Sequence, residues 1–166
     1  MTGPADALRA RIGETRTYTA PEELGAAAGR YFALAVGDSN PLYTNADLAR
    51  AHGLDGVTAP PTLICETNQY AGLPIDEDGY AGHTWGLVVP GTRTVRGGNA
   101  YVFERRVRPD DVVTATWQII DVAEKTTGAG ARMLVVTSRA TYTDQHGDLL
   151  ATNDETLIFV ALEATA

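Results

Sequence analysis

The chain has 166 residues, 44% of them hydrophobic and 20% charged, a size and balance that suit one globular domain around one core. A net charge of −8 argues against a nucleic-acid partner, and no run approaches the roughly 18 uninterrupted apolar residues of a membrane span. The single cysteine, Cys65, rules out an internal disulfide, and residues 1–6 lack the basic patch and apolar core of a secretory leader, so a cytoplasmic protein is expected.

In chain order, residues 15–19 are a short strand candidate. Pro21, Glu22 and Glu23 then suit the first turn of a helix, which Leu24, Ala27, Ala28, Tyr31, Leu34 and Ala35 continue as one apolar stripe until Gly37. Asp38-Ser39-Asn40-Pro41 reads as a turn. Asn45 starts a second, short helix that Gly53 stops. Residues 56–62 lead into a third helix, at 63–70 or as widely as 61–72, that is apolar on most sides and therefore buried. From residue 84 onward the pattern changes to strands, at 85–89, 94–107 with a break at Gly97-Gly98, 112–122, 133–142 and 149–160. Glycine-bearing connections at 125–130 and 144–148 read as hairpins.

No linker or repeat separates the two halves, so they form layers of one α+β domain spanning 1–166 with its core at 15–162. Long antiparallel strands beside one buried helix predict a curved sheet wrapped around that helix. The open edge of such a sheet invites pairing, so a dimer is expected, homomeric or heteromeric. Five of the 13 basic residues fall in one window: Arg93, Arg96, Arg105, Arg106 and Arg108. Within a strand, Arg106 and Arg108 would share a face. That face is either solvated or a surface for the phosphates of coenzyme A or phosphopantetheine.

Gly37-Asp38-Ser39-Asn40-Pro41-Leu42-Tyr43 resembles the hydratase motif of MaoC-like proteins, Asp-x-Asn-Pro-x-His before a short helix. Three more segments follow in the family's order: residues 49–62, with Ala59-Pro60-Pro61-Thr62 at their end, then Arg96-Gly97-Gly98-Asn99-Ala100-Tyr101-Val102-Phe103, then Arg106-Val107-Arg108-Pro109-Asp110-Asp111. Together they cover roughly residues 15–162. Ala59-Pro60-Pro61-Thr62 is similar to the N-terminal, FAS1-type half that is paired with a catalytic partner in two-subunit fatty-acyl dehydratases.

The resemblance implies a single hot-dog domain and an (R)-specific dehydratase/hydratase of 3-hydroxyacyl thioesters, homodimeric or joined to a MaoC-like subunit. Its substrate would be carried on coenzyme A or acyl carrier protein, with no further cofactor. It implies Asp38, Asn40 and Tyr43 as catalytic candidates and Thr62, Leu63, Arg96, Gly97, Asn99 and His83 as substrate-binding candidates. It also implies backbone N–H groups at the entry to the central helix that polarise the thioester carbonyl.

The chain departs from the family pattern twice. Tyr43 stands where active members carry His, and a phenol with a reference pKa near 10 is a poor base near neutrality. Pro60 and Pro61 have no N–H to offer at the helix entry, which leaves Thr62 and Leu63.

Asp38 can serve as acid/base or simply close an Asx-turn on its own backbone. His83, in a loop before a strand, is either a substitute base at the pocket mouth or an exposed loop histidine. His52 fits a helix C-terminus, His146 a hairpin tip and Cys65 core packing, and three scattered histidines make no metal site. Besides a dehydratase subunit, three readings stay open. They are a non-catalytic partner that shapes the acyl pocket, a hot-dog enzyme of altered chemistry (thioesterase or conjugate addition), and a binding protein without turnover.

Overall fold

A computed structural model describes residues 3–65 and 67–162. Four long strands fill the second half of the chain: β2 (Thr92–Phe103), β3 (Thr114–Thr126), β4 (Arg132–Thr143) and β5 (Leu149–Ala161). With β1 (Thr15–Thr19) they form one antiparallel sheet in the order β1-β3-β4-β5-β2. The strands follow from alternation. In β3, Ala115, Trp117 and Ile119 are buried while Thr114, Thr116 and Gln118 face outward.

Registry carries the same face across the sheet. Trp117 lies opposite Ala140 and Ala140 opposite Asn153, and all three are buried. Register shifts at Ile120 and Gly97 interrupt the ladders and bend β3 and β2. This is the curved antiparallel sheet that the sequence predicts. Among the described residues no helix is long and apolar enough to cross a membrane.

The helical layer differs in detail from expectation. Besides α1 (Pro4–Arg9), which has no counterpart in the predicted elements, α2 covers Ala26–Val36 and α3 Ala46–Ala51. The second helix starts at Ala26, not Pro21. Leu24 and Gly25 spend their N–H groups on Asp111 and Pro109 carbonyls, and Gly25 adopts φ 76, so the helix begins only beyond it. α3 is capped as expected by the Asn45 side chain, which accepts from Leu48 N.

The predicted third helix is two short 3-10 turns, Pro61–Cys65 and Asn68–Tyr70, separated at an extended Thr67. Its burial is as expected: Leu63, Ile64, Gln69 and Tyr70 are all in the interior. Side-chain bonds replace the helical ladder. Gln69 Nε2 donates to the Ile64 carbonyl and Trp117 Nε1 to Tyr70 Oη, while Asn68 Nδ2 donates to Glu22 O.

Residues 85–89, expected as a strand, belong to no ladder. Gly86 has φ 60, and Trp85 is held instead through Nε1–H donated to Ser138 Oγ. Arg106 and Arg108 share no strand face, because β2 ends at Phe103. The chain there follows an ion cluster. Arg105 donates to Asp111 and to Asp144 at 2.7–2.9 Å, and both carboxylates are almost wholly buried. Asp144 Oδ1 also accepts from His146 N and Asp148 N, which shapes the β4–β5 hairpin.

Gly97 occupies the β2 bulge, where an added Cβ would lie 2.8 Å from Ile158 Cδ1 and would also clash with the Thr156 hydroxyl. Both neighbours are β-branched and stiff. Gly97→Ala is therefore expected to cost about 1–3 kcal/mol through overpacking, measured as a lowered urea midpoint with an unchanged m-value. A midpoint equal to wild type would mean the bulge yields freely.

Candidate functional site

The Asp38 segment is built by the end of α2. Gly37 takes the left-handed conformation at φ 72, which stops the helix and turns the chain so that Asp38 N still bonds Ala33 O at 2.9 Å. Asp38 Oδ1 then accepts from Asn40 N and Oδ2 from the Tyr43 hydroxyl, each at 3.0 Å. Asn40 in turn caps the turn Pro41–Tyr43 by accepting from Leu42 N. Asp38 is exposed and Tyr43 is buried. The result is a solvent-facing carboxylate held on one side by its own backbone and on the other by a phenol fixed in the core.

Burial pushes the Tyr43 phenol above its ordinary value, and Asp38's hydrogen bond and charge add to this; Arg106 and Asn40 act in the opposite sense. Tyr43 is therefore a donor near neutrality and not a base. Asp38 closes the Asx-turn with one carboxylate oxygen and meets Tyr43 with the other.

The substrate-binding candidates fall elsewhere. Thr58 N donates to Leu42 O and Ala59 N to Val107 O, which tie the Asp38–Tyr43 segment to the chain beyond the C-terminal end of β2. Arg96 lies in the other half of β2, seven residues before Phe103, or roughly 23 Å along a strand. There Arg96, His83, Tyr80, Trp85, Glu155 and Leu157 line a cavity of about 350 Å³. Arg96 pairs with Glu155 at 3.5 Å, and burial raises the Glu155 carboxyl despite that partner. Asn99 Oδ1 accepts from Asn153 Nδ2 at 2.9 Å, midway between the two groups. Gly97 forms the bulge. Leu63 is in the core with its N–H donated to Pro60 O, and Thr62 is exposed.

His83 is only 8% exposed. It stacks on Trp117 at 4.4 Å and 17°, meets Trp85 edge-on at 4.6 Å, and places Nδ1 3.1 Å from the Tyr18 hydroxyl. Burial, and secondarily the charge of Arg16, lower its pKa from 6.5 to about 4. Thr58, Glu155 and Tyr18 are the polar residues here that sequence patterns did not single out. Thr58 sits in the quoted segment 49–62, but only its burial marks it.

Lines of likeness can now be set against this geometry. A family model described as "FAS1-like, dehydratase domain region" matches residues 10–153. A UPF0336 protein of Streptomyces coelicolor is 37% identical over 105 residues, covering 63% of this chain and 66% of that protein. A protein of Thermomonospora curvata named a probable enoyl-CoA hydratase alpha subunit is 32% identical over 130 residues, covering 74% of this chain but 40% of its own length. The match thus spans less than two thirds of either relative.

The fold resembles the MaoC-like dehydratase of Rhodospirillum rubrum (TM-score 0.62, 16% identity, 92% of this chain and 94% of that one). It also resembles a chain of the HadBC (3R-hydroxyacyl-ACP dehydratase) complex of Mycobacterium tuberculosis (TM-score 0.60, 24% identity, 89% and 96%). At these identities the likeness establishes the hot-dog fold.

The neutral His83 generates a pH dependence. Between pH 6.5 and about 4 the unfolded chain binds a proton that the folded one refuses, so stability falls as pH falls through that window, by about 3 kcal/mol in all. Replacing His83 by Phe keeps the stacking ring and removes the titration. Urea midpoints at pH 7 and pH 4.5 should differ more in wild type than in His83→Phe, and equal differences would refute the assignment.

Proposed function

Since the chain belongs to the FAS1-like dehydratase-region family, we propose that it is a subunit of an enzyme that eliminates water from 3-hydroxyacyl thioesters, or adds it to enoyl thioesters. The carrier is coenzyme A or acyl carrier protein. The observation that carries this reading is the exposed Asp38 carboxylate held between Asn40 N and the buried Tyr43 hydroxyl.

In the dehydration direction the carboxylate takes the proton from the carbon beside the thioester carbonyl. That C–H pair becomes the new Cα=Cβ bond. The Cβ–O bond breaks with its electron pair on oxygen, which accepts a proton and leaves as water. The proton that Asp38 gains is the one the departing oxygen needs, so one carboxylate can serve both ends of the reaction. Tyr43 contributes by donating to Oδ2 and fixing the direction of the carboxylate.

Two observations support a partner. β2 is a 12-residue strand at the sheet edge, with no neighbour on its outer side among the described residues, a ready template for another chain. Relatives of this fold also occur in complexes and as hydratase subunits. A second reading, in which this subunit shapes the acyl pocket while its partner does the chemistry, is favoured by Tyr43 itself: a phenol that holds its proton near neutrality stands beside Asp38 where the MaoC-like motif carries His.

Water addition to crotonyl-coenzyme A, followed by loss of enoyl absorbance, tests both. Asp38→Asn should slow turnover about 10²–10⁴-fold. Tyr43→Phe should cost about 0.5–1.5 kcal/mol in transition-state stabilisation. Tyr43→His should raise the rate. If wild type and Asp38→Asn are equally inert alone and equally active with a co-expressed MaoC-like partner, the pocket-shaping reading replaces the catalytic one.

A further inference from the structure

Breaking the C–H bond beside a thioester sends negative charge onto the carbonyl oxygen, and a site for that step needs donors aimed at it. The backbone supplies few here. Thr58 N, Ala59 N and Leu63 N are spent on the carbonyls of Leu42, Val107 and Pro60, and Pro60 and Pro61 have no N–H, which leaves at most Thr62 among residues 58–63. Side chains next to the same segment make up the deficit. Thr58 is 4% exposed, yet among the described residues its hydroxyl has no hydrogen-bond partner. A buried hydroxyl left unbonded is costly and calls for an explanation.

Thr58 lines a cavity of about 280 Å³ with Gly53, Gly56 and Arg106. The neighbouring guanidiniums are engaged, Arg105 with Asp111 and Asp144 and Arg108 with Asp55, whereas Arg106 is exposed. Two of its lining residues are linked to the Asp38–Tyr43 segment. Thr58 N is bonded to Leu42 O, next to Tyr43, and Arg106 is near enough to act on the Tyr43 phenol through its charge.

We propose, resting on the dehydratase reading above, that the Thr58 hydroxyl and the Arg106 guanidinium hold the thioester oxygen as it becomes negatively charged. The proton from the substrate carbon passes to Asp38. The C–H electron pair spreads over that carbon, the carbonyl carbon and its oxygen. The oxygen then accepts from Thr58 Oγ–H and an Arg106 N–H, both of which keep their protons. Asp38 and Tyr43 are thus the basic side of the site, and Thr58 and Arg106 the electrophilic side.

The test uses acetoacetyl-coenzyme A, whose enolate absorbs in the near ultraviolet, and needs no turnover. Wild type should raise the enolate band of the bound thioester. Thr58→Ser should retain it, and Thr58→Val and Arg106→Gln should return it to the level of the free compound. Arg93→Gln, an exposed arginine at the start of β2, serves as the charge-matched control and should behave as wild type. Acetoacetyl-pantetheine, which has no phosphates, should give the same pattern.

Thr58→Val should melt no lower than wild type, since it removes a hydroxyl without a partner. In the crotonyl assay it should lower kcat about 10²–10³-fold with little change in KM. An absent band in wild type, an intact band in Thr58→Val, or a band lost with the pantetheine thioester would overturn the proposal; in the last case Arg106 serves the carrier phosphates. A band without hydration by wild type would support the electrophilic pair while removing the catalytic reading. Hydration with an intact Thr58→Val band would do the reverse.

Discussion

Arg105 reaches two carboxylates, Asp111 and Asp144, that are almost entirely withdrawn from water, and it holds the end of β2, the approach to β3 and the β4–β5 hairpin against one another. Such a cluster gains stability only if every member is satisfied, because removing the cation would leave two buried charges unpaired. The satisfaction is nearly complete. Asp111 also accepts from Arg108 N, and Asp144 from two amides of its own turn. The Asp111 and Pro109 carbonyls then receive Leu24 and Gly25, which sets where α2 begins. Since only Gly37 separates the end of α2 from Asp38, the position of the carboxylate traces back, through eleven helical residues, to this ion cluster.

The four long strands are legible in the sequence because each alternates apolar and polar residues or runs apolar between turn signals. Asp38 and Asn40 stand out only through the resemblance of their segment to the MaoC-like motif, whereas the turn they make at Asp38-Ser39-Asn40-Pro41 is readable from the residue types themselves. The third helix was not legible as it formed. Residues 61–70 are apolar enough to be buried, and Leu63, Ile64, Gln69 and Tyr70 are, but burial does not choose between helix types. Pro60 and Pro61, the extended Thr67, the Gln69 side chain that satisfies the Ile64 carbonyl across the break, and the Asn68 side chain tied to Glu22 O decide that the segment winds as separate turns. Arg105 was equally opaque. Its partners Asp111 and Asp144 lie 6 and 39 residues away, and no local pattern announces the second.

The candidate residues separate along β2 into an acid–phenol group near its C-terminal end and an aromatic-walled cavity in its N-terminal half. His83 shows how differently the two are built. It belongs to a ring assembly with Trp85, Trp117 and Tyr18 that disfavours its charge, whereas Asp38 keeps its carboxylate in contact with solvent. A substrate that engages both ends must be extended, as an acyl chain on a pantetheine arm is. The unpaired edge of β2 runs alongside the whole distance, so a partner strand would lie against both groups at once.

The bulge at Gly97 has a consequence of parity. Arg96 is opposite Leu157 and Asn99 opposite Glu155, so the two β2 residues, three apart in sequence, face partners only two apart. In a regular strand an odd separation puts side chains on opposite faces. The extra residue converts odd to even and brings Arg96 to the same surface as Asn99 and Tyr101. A chain shortened by that single glycine would leave Arg96 and Asn99 two apart, so with every other pairing in β2 kept Arg96 would stay on that surface and only the bend would be lost. The bulge thus decouples residue count from sidedness: one residue more or less at this point changes the curvature of β2 and leaves its two faces as they are.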